Sequence, residues 1–331
     1  MIRLRTLHGM ASPQDKILLP CAFRTVGRHR LVELVDPDRI DWRHGFFVRG
    51  LPADLPFDSI VPFEDWSAVV DRTDNFAGTG GIFHVSRCGS TLLGQNLKAT
   101  GRAVVLSEPA FMRVLRTGFD GTLAPDEAAA VVAGAIGQWR DWAAAQGKAL
   151  IVKFNSQTHE WQAELRAALP GARFVFLHRE PAPVLESIRR GPPRYLTRDV
   201  AQRRHGGLPE LDALEEDPLL VAATRRYCAA LDGFAGLGGA VLPFAYRDLA
   251  AHYGEICRHF GFEGAEPGWD ASRNAKTPRP GSEETYRPVG PDRIERFAAR
   301  HAELLAVAEA RYRLFLEGSG GASRTERGTA K

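Results

Sequence analysis

The stretch Gly81-Ile-Phe-His-Val-Ser-Arg-Cys-Gly-Ser-Thr-Leu-Leu93 reads as a buried strand, a tight turn and the start of a helix, and it limits the chain to folds that contain such a corner. Ile82, Phe83 and Val85 are β-formers, the bend from Ser86 to Gly89 supplies backbone freedom, and Ser90 and Thr91 sit where a new helix leaves N–H groups without partners. Corners of this kind bind anions. Exposed amides, the positive end of the helix dipole, two hydroxyls and the Arg87 guanidinium would converge on one phosphate. The spacing departs from the G-x-x-x-x-G-K-[ST] loop, because Gly89 is followed by Ser90 and the cation of the turn, Arg87, precedes the glycine by two residues.

From about residue 79 onward the pattern is α/β. Strands are expected near 81–86, 103–107, 149–154, 172–178 and 240–246, alternating with helical stretches, which predicts a mostly parallel central sheet with helices on both faces. In the helix expected near 126–146, Ala128, Val131, Val132, Ala135, Ile136, Trp139, Trp142 and Ala143 recur at helical steps, so its tryptophans read as core. Residues 1–78 carry many Pro, Asp and Arg residues with aromatic spots at Trp42, Phe46, Phe47, Phe57, Phe63 and Trp66, and are read as a small β-rich appendage to a main domain spanning 79–317. Residues 318–331, rich in Gly, Ser and Thr, read as a disordered tail.

A second segment adds to the first. Arg173-Phe-Val-Phe-Leu-His-Arg179 is another apolar strand, followed by Glu180-Pro181-Ala182-Pro183, where proline opens a helix, and Ser187 lies eight residues beyond Arg179. An arginine leaving a strand and a serine two turns into the next helix can meet a phosphate over that helix's start. Taken alone, the segment is equally compatible with a proline-capped helix and a solvated arginine. Together the two elements resemble the sulfotransferases, in which a Lys/Arg-[SC]-G-[ST]-T loop grips the 5′-phosphosulfate end of 3′-phosphoadenosine-5′-phosphosulfate (PAPS), and an R-[DNE]-P-x(5)-S element holds its 3′-phosphate.

The resemblance covers roughly residues 80–260 and implies a P-loop-like α/β fold, PAPS as donor and no metal. It casts Arg87, Cys88, Gly89, Ser90, Thr91, Arg179 and Ser187 as donor-binding residues. Arg273 and Lys276 join them as candidates, from a basic region running into the Pro- and Gly-rich stretch between Asn274 and Pro291. Lys153 ends the strand Ala149-Leu-Ile-Val-Lys153, as in relatives whose central lysine contacts the transferring group. Lysine occurs only six times among 43 basic residues, so its placement there is a selective one. Tyr246-Arg-Asp-Leu249 looks like the family's Y-E-D-L element, with arginine replacing glutamate, and is assigned to the fold.

Many members carry a histidine two residues after the strand lysine. Here that residue is Asn155, which takes no proton at neutral pH. Glu108, at the end of the strand before Pro109, matches the glutamate of carbohydrate and tyrosylprotein sulfotransferases and becomes the candidate base; a helix-capping or arginine-pairing role is the alternative. His84 is a weaker candidate, mid-strand, where it would satisfy a buried hydrogen bond. Arg87, Glu108 and Lys153 thus form the catalytic set.

Composition narrows the remaining classes. A net charge of +3 on 331 residues is too balanced for a nucleic-acid or membrane-surface protein, and no stretch approaches 18 apolar residues. The arginines from Arg189 to His205 read as a solvated loop, neutralised by the acidic stretch from Glu210 to Asp217. Four separated cysteines and a start without a secretion signal predict a cytoplasmic enzyme. Cys88 is no phosphatase nucleophile of the Cys-x(5)-Arg type, since position 94 is glycine. Two rivals remain: an ATP-dependent P-loop kinase and a non-catalytic nucleotide-binding protein. The acceptor is expected to be a small molecule, a carbohydrate or a peptide.

Overall fold

The structure, a computed structural model, describes residues 17–53, 60–70, 75–201, 208–237, 239–262, 268–274 and 289–319. Lys276, most of the stretch from Asn274 to Pro291 and nearly all of the expected tail fall outside these residues. Continuous apolar runs become strands covered on both faces. They are β4 (Thr79–His84), β5 (Ala103–Ser107), β6 (Ala149–Lys153), β7 (Arg173–His178) and β8 (Val241–Ala245), which follow three N-terminal strands. All six residues of β4 are buried. The five strands form one parallel sheet of order β5-β6-β4-β7-β8, flanked by helices, so the expected α/β class is what the chain adopts.

The chain divides into two compact units that cut across the boundary expected at residue 78. Among the described residues, one holds those within 1–81, 91–173 and 254–277, and the other those within 82–90, 174–253 and 278–331. In the first unit, β1 (Leu19–Val26) and β2 (His29–Val35) form a hairpin whose two-residue turn begins with Gly27 at φ +58°, and β3 (Ile60–Pro62) completes a three-stranded antiparallel sheet. Phe23 of β1 places its ring against Phe63, Trp66, Phe111 and Phe119. The face of such a ring carries partial negative charge and its edge partial positive charge, so edge-on pairs stabilise by about 0.5–1.5 kcal/mol beyond burial.

The helix Pro125–Ala145 lines the same core. Glu127 reaches back to the Ala124 amide at 2.8 Å and closes its first turn. Trp139 is fully buried and donates its indole N–H to the Pro20 carbonyl at 2.8 Å. Trp142 departs from the core expectation in part, being half-buried and stacked on Trp42.

In the second unit, Phe83, Phe176, Phe234 and Phe315 build an aromatic core in which Phe176 and Phe234 stack with centroids 4.2 Å apart and Phe315 meets Phe176 edge-on. The arginine-rich stretch read as a loop contains a helix, Arg194–Ala201. Arg189 is turned back onto buried Glu186, with its Nε at 2.6 Å from the carboxylate. Helix periodicity outweighs the charge there because Leu196 is fully buried and anchors the segment. At the end of β7, His178 is buried with its Nδ1 3.0 Å from the Tyr312 hydroxyl.

Burial, followed by the Arg247 charge, pushes the His178 imidazole down to about 4. The unfolded chain therefore binds a proton that the folded chain refuses between pH about 6.5 and 4, and stability must fall as pH drops through that window. The expected loss is about 3 kcal/mol. It is to be measured as the change in urea unfolding free energy between pH 6.5 and 4, and His178→Gln should remove that share of the slope.

Candidate active site

In an open α/β sheet, ligands collect outside the carboxyl ends of neighbouring strands whose connections leave in opposite directions. Here those strands are β4 and β7: the chain leaves β4 toward β5 at one edge and leaves β7 toward β8 at the other. The Val85 amide donates to the Leu177 carbonyl at 3.1 Å, so the two strand ends advance together.

Beyond β4 the backbone turns sharply. Ser86, Arg87 and Gly89 lie at φ of 71°, 50° and 82°. Ser86 and Arg87 are two of only five non-glycine residues with positive φ among the described residues, and Glu108 is a third. Each such residue costs on the order of 1–3 kcal/mol, a strain that clusters where a backbone is shaped for a ligand. Gly89 is required for a further reason: a Cβ on it would lie 2.6 Å from Cδ2 of Tyr246.

The same turn gathers two guanidinium groups. Arg179, the first residue after β7, donates from Nη1 to the Arg87 carbonyl at 3.2 Å and lies 4.2 Å over the Tyr246 ring. Tyr227 fixes the backbone at this point by donating its hydroxyl to the Arg179 carbonyl at 2.7 Å. Arg87 donates from Nη2 to the carbonyl of Gly191, at the end of the helix Pro181–Arg190, at 2.7 Å. Tyr246, assigned from sequence to the fold, therefore also supports Arg179.

A separate cluster forms inside the first unit. The parallel register pairs Ser107 with Lys153, and the Glu108 amide continues the ladder by donating to the Lys153 carbonyl at 2.8 Å. With φ at 55°, Glu108 turns out of the strand, and its Oε1 accepts from the Lys153 ammonium. The lysine side chain is 1% exposed and the glutamate 30%. The Lys153 ammonium also lies 5.1 Å from the Phe46 ring centroid. Phe111, fully buried just past Pro109, anchors the turn that carries Glu108.

The other candidates divide. Cys88 is fully buried, so its thiol is not presented at the surface of the turn. Ser90 opens the helix Ser90–Ala99 and is buried, while Thr91 beside it is half-buried. Ser187 is half-buried in the second turn of the helix Pro181–Arg190. Arg273 sits in a short turn of helix with its Nε 3.1 Å from the Asp270 carboxylate. Asn155 caps its turn, accepting from the Gln157 amide at 3.2 Å and the Thr158 hydroxyl at 2.9 Å. The Nδ1 of His84 accepts from the Ser86 amide at 3.1 Å, a part-buried hydrogen bond where a buried one was expected.

No known protein family matches the chain, and no curated protein does. Among solved structures it is similar to a sulfotransferase domain from the curacin biosynthetic pathway, at 13% identity over 69% of this chain and 99% of that one, with a TM-score of 0.34. It is also similar to a sulfotransferase from Alicyclobacillus acidocaldarius, at 16% identity over 72% of this chain and 95% of that one, with a TM-score of 0.38. Among the described residues no helix is long and apolar enough to cross a membrane.

Removing the glutamate alone strands a buried ammonium, whereas removing both charges does not. Glu108→Ala should destabilise by about 3 kcal/mol, and Glu108→Ala combined with Lys153→Met should return to within about 1 kcal/mol of the parent. A double-mutant cycle in urea measures both; additive losses would show that the pair is not coupled.

Proposed function

We propose that the protein is a sulfotransferase that moves a sulfuryl group from PAPS to a hydroxyl or amine of a small-molecule, carbohydrate or peptide acceptor. The observation that most supports this reading is the shared cluster of Arg87 and Arg179. Two guanidinium groups, joined by a 3.2 Å hydrogen bond from one to the backbone of the other, flank a left-handed turn that opens a helix. Such a donor set fits a ligand with more than one phosphate-type group, since planar guanidinium forks bind oxyanions in pairs and helix-start amides add partial positive charge.

In this reading Arg87, the amides from Cys88 to Ser90, Ser90 and Thr91 would hold the 5′-phosphosulfate end. Arg179 and Ser187 would hold the 3′-phosphate, with Arg273 and Lys276 as further contributors. PAPS supplies an activated sulfur–oxygen bond, and no metal is required. The protein's work is positioning and charge stabilisation. Glu108, with one oxygen fixed by Lys153, accepts the acceptor's proton as the acceptor oxygen or nitrogen bonds to sulfur and the bond to the 5′-phosphate oxygen breaks. Protonating Glu108 removes the counter-charge of Lys153, whose ammonium would then be available to the negative charge growing on the sulfuryl oxygens, the role that the family resemblance also gives Arg87. The four described cysteines are buried and none is joined in a disulfide, which fits a reducing compartment such as the cytoplasm.

The roles separate by kinetics. Glu108→Gln should lower kcat by about 10²–10⁴-fold while leaving the Kd for adenosine 3′,5′-bisphosphate nearly unchanged. Arg179→Ala should raise that Kd by about 10–100-fold, as expected for lost charge-assisted hydrogen bonds, with a smaller effect on kcat. Labelled sulfate transfer and calorimetric titration read the two quantities, and equal losses of affinity in both variants would contradict the division of roles.

A further inference from the structure

Lys153 is buried beside a carboxylate that must stay available for proton transfer, and the segment 41–50 supplies what else touches its ammonium. Three anchors hold that segment. Lys98 donates from Nζ to the Trp42 and His44 carbonyls at 2.8 and 3.1 Å, and the Asp41 amide donates to the Gly50 carbonyl at 2.8 Å. Phe47 is buried and meets Trp139 edge-on at 5.5 Å. A Cβ at Gly45 would come within 3.1 Å of the Gln95 amide and 3.4 Å of the Thr91 methyl, so the segment lies close against the helix that follows the strained turn. Phe46, the residue between Gly45 and Phe47, is extended at φ −127°, half-buried, and presents its ring to Lys153 at 5.1 Å. Arg49, exposed, lies 5.4 Å from the same ring.

We infer that Phe46 is a positioning residue for the transfer: its ring face holds the Lys153 ammonium against Glu108 by a cation–π contact. A ring face carries partial negative charge but takes no proton, so it steadies a desolvated ammonium without competing with Glu108 for hydrogen bonds. A second carboxylate in its place would bind the ammonium more tightly and hold it back from the sulfuryl oxygens. A segment of residues 1–78 thereby acquires a role in the chemistry. The kinetic consequence rests on the sulfotransferase reading; the contact itself does not.

The test replaces Phe46 with phenylalanines carrying one, two and three ring fluorines, which drain the ring face with little change of shape. Arg49→Gln is present throughout so that a single cation faces the ring. Tm should fall stepwise with fluorination, and the slope should vanish in the Lys153→Met background. In the chain that keeps Lys153, kcat should fall in the same order, by about 2–30-fold in total, with the donor KM unchanged; Phe46→Trp should keep kcat and Phe46→Leu lose it. Equal Tm slopes with and without Lys153, or a Lys153-dependent slope with constant kcat, would overturn the inference. A chain that transfers no sulfate while keeping the Lys153-dependent Tm slope would instead refute the sulfotransferase reading and leave the contact standing.

Discussion

A lysine side chain that is 1% exposed must find partners for its ammonium within the protein, and the arrangement around Lys153 follows from that requirement. The charge is met by Glu108, one step beyond the paired position on the neighbouring strand, and by the Phe46 ring. Glu108 meets it from a left-handed backbone, a local cost offset by the part-buried ion pair. Burial makes the pair sensitive to proton transfer, since neutralising one member changes the field on the other far more than it would in water.

The second cluster is built on shape as much as charge. A side chain at Gly89 would clash with Tyr246, and the Arg179 guanidinium lies 4.2 Å from the centroid of the same ring. Arg179 in turn binds the carbonyl of Arg87. Loop curvature, strand end and cation are therefore mutually dependent, and a change at Tyr246 would be felt by both arginine positions.

Much of this was legible in the residue order. The five strands of the main sheet stand where apolar runs bounded by turns and charges put them, because a strand buried on both faces has no alternative pattern. Glu108, Lys153, Arg87 and Arg179 could each be singled out as a charged residue ending a strand or entering a turn. Their partners could not. Glu108 and Lys153 are 45 residues apart, and their pairing needs the order β5 beside β6. Arg87 meets Gly191 across 104 residues. Phe46 carried no signal beyond being one aromatic among several in the N-terminal region, and Tyr246 looked purely structural. The helix Arg194–Ala201 was obscured by its charge, although Leu196 marked its buried side.

The claim on which the rest depends is that the strained turn and its two arginines recognise a nucleotide bearing both 3′- and 5′-phosphates. Thermal unfolding in the presence of adenosine 3′,5′-bisphosphate, against ATP with magnesium at the same concentration, addresses it directly, because a ligand that binds only the native state raises Tm in proportion to its affinity. The bisphosphate should raise Tm by a few degrees at about 100 times its Kd, and ATP with magnesium should do much less. Stabilisation by ATP with magnesium and none by the bisphosphate would contradict the account.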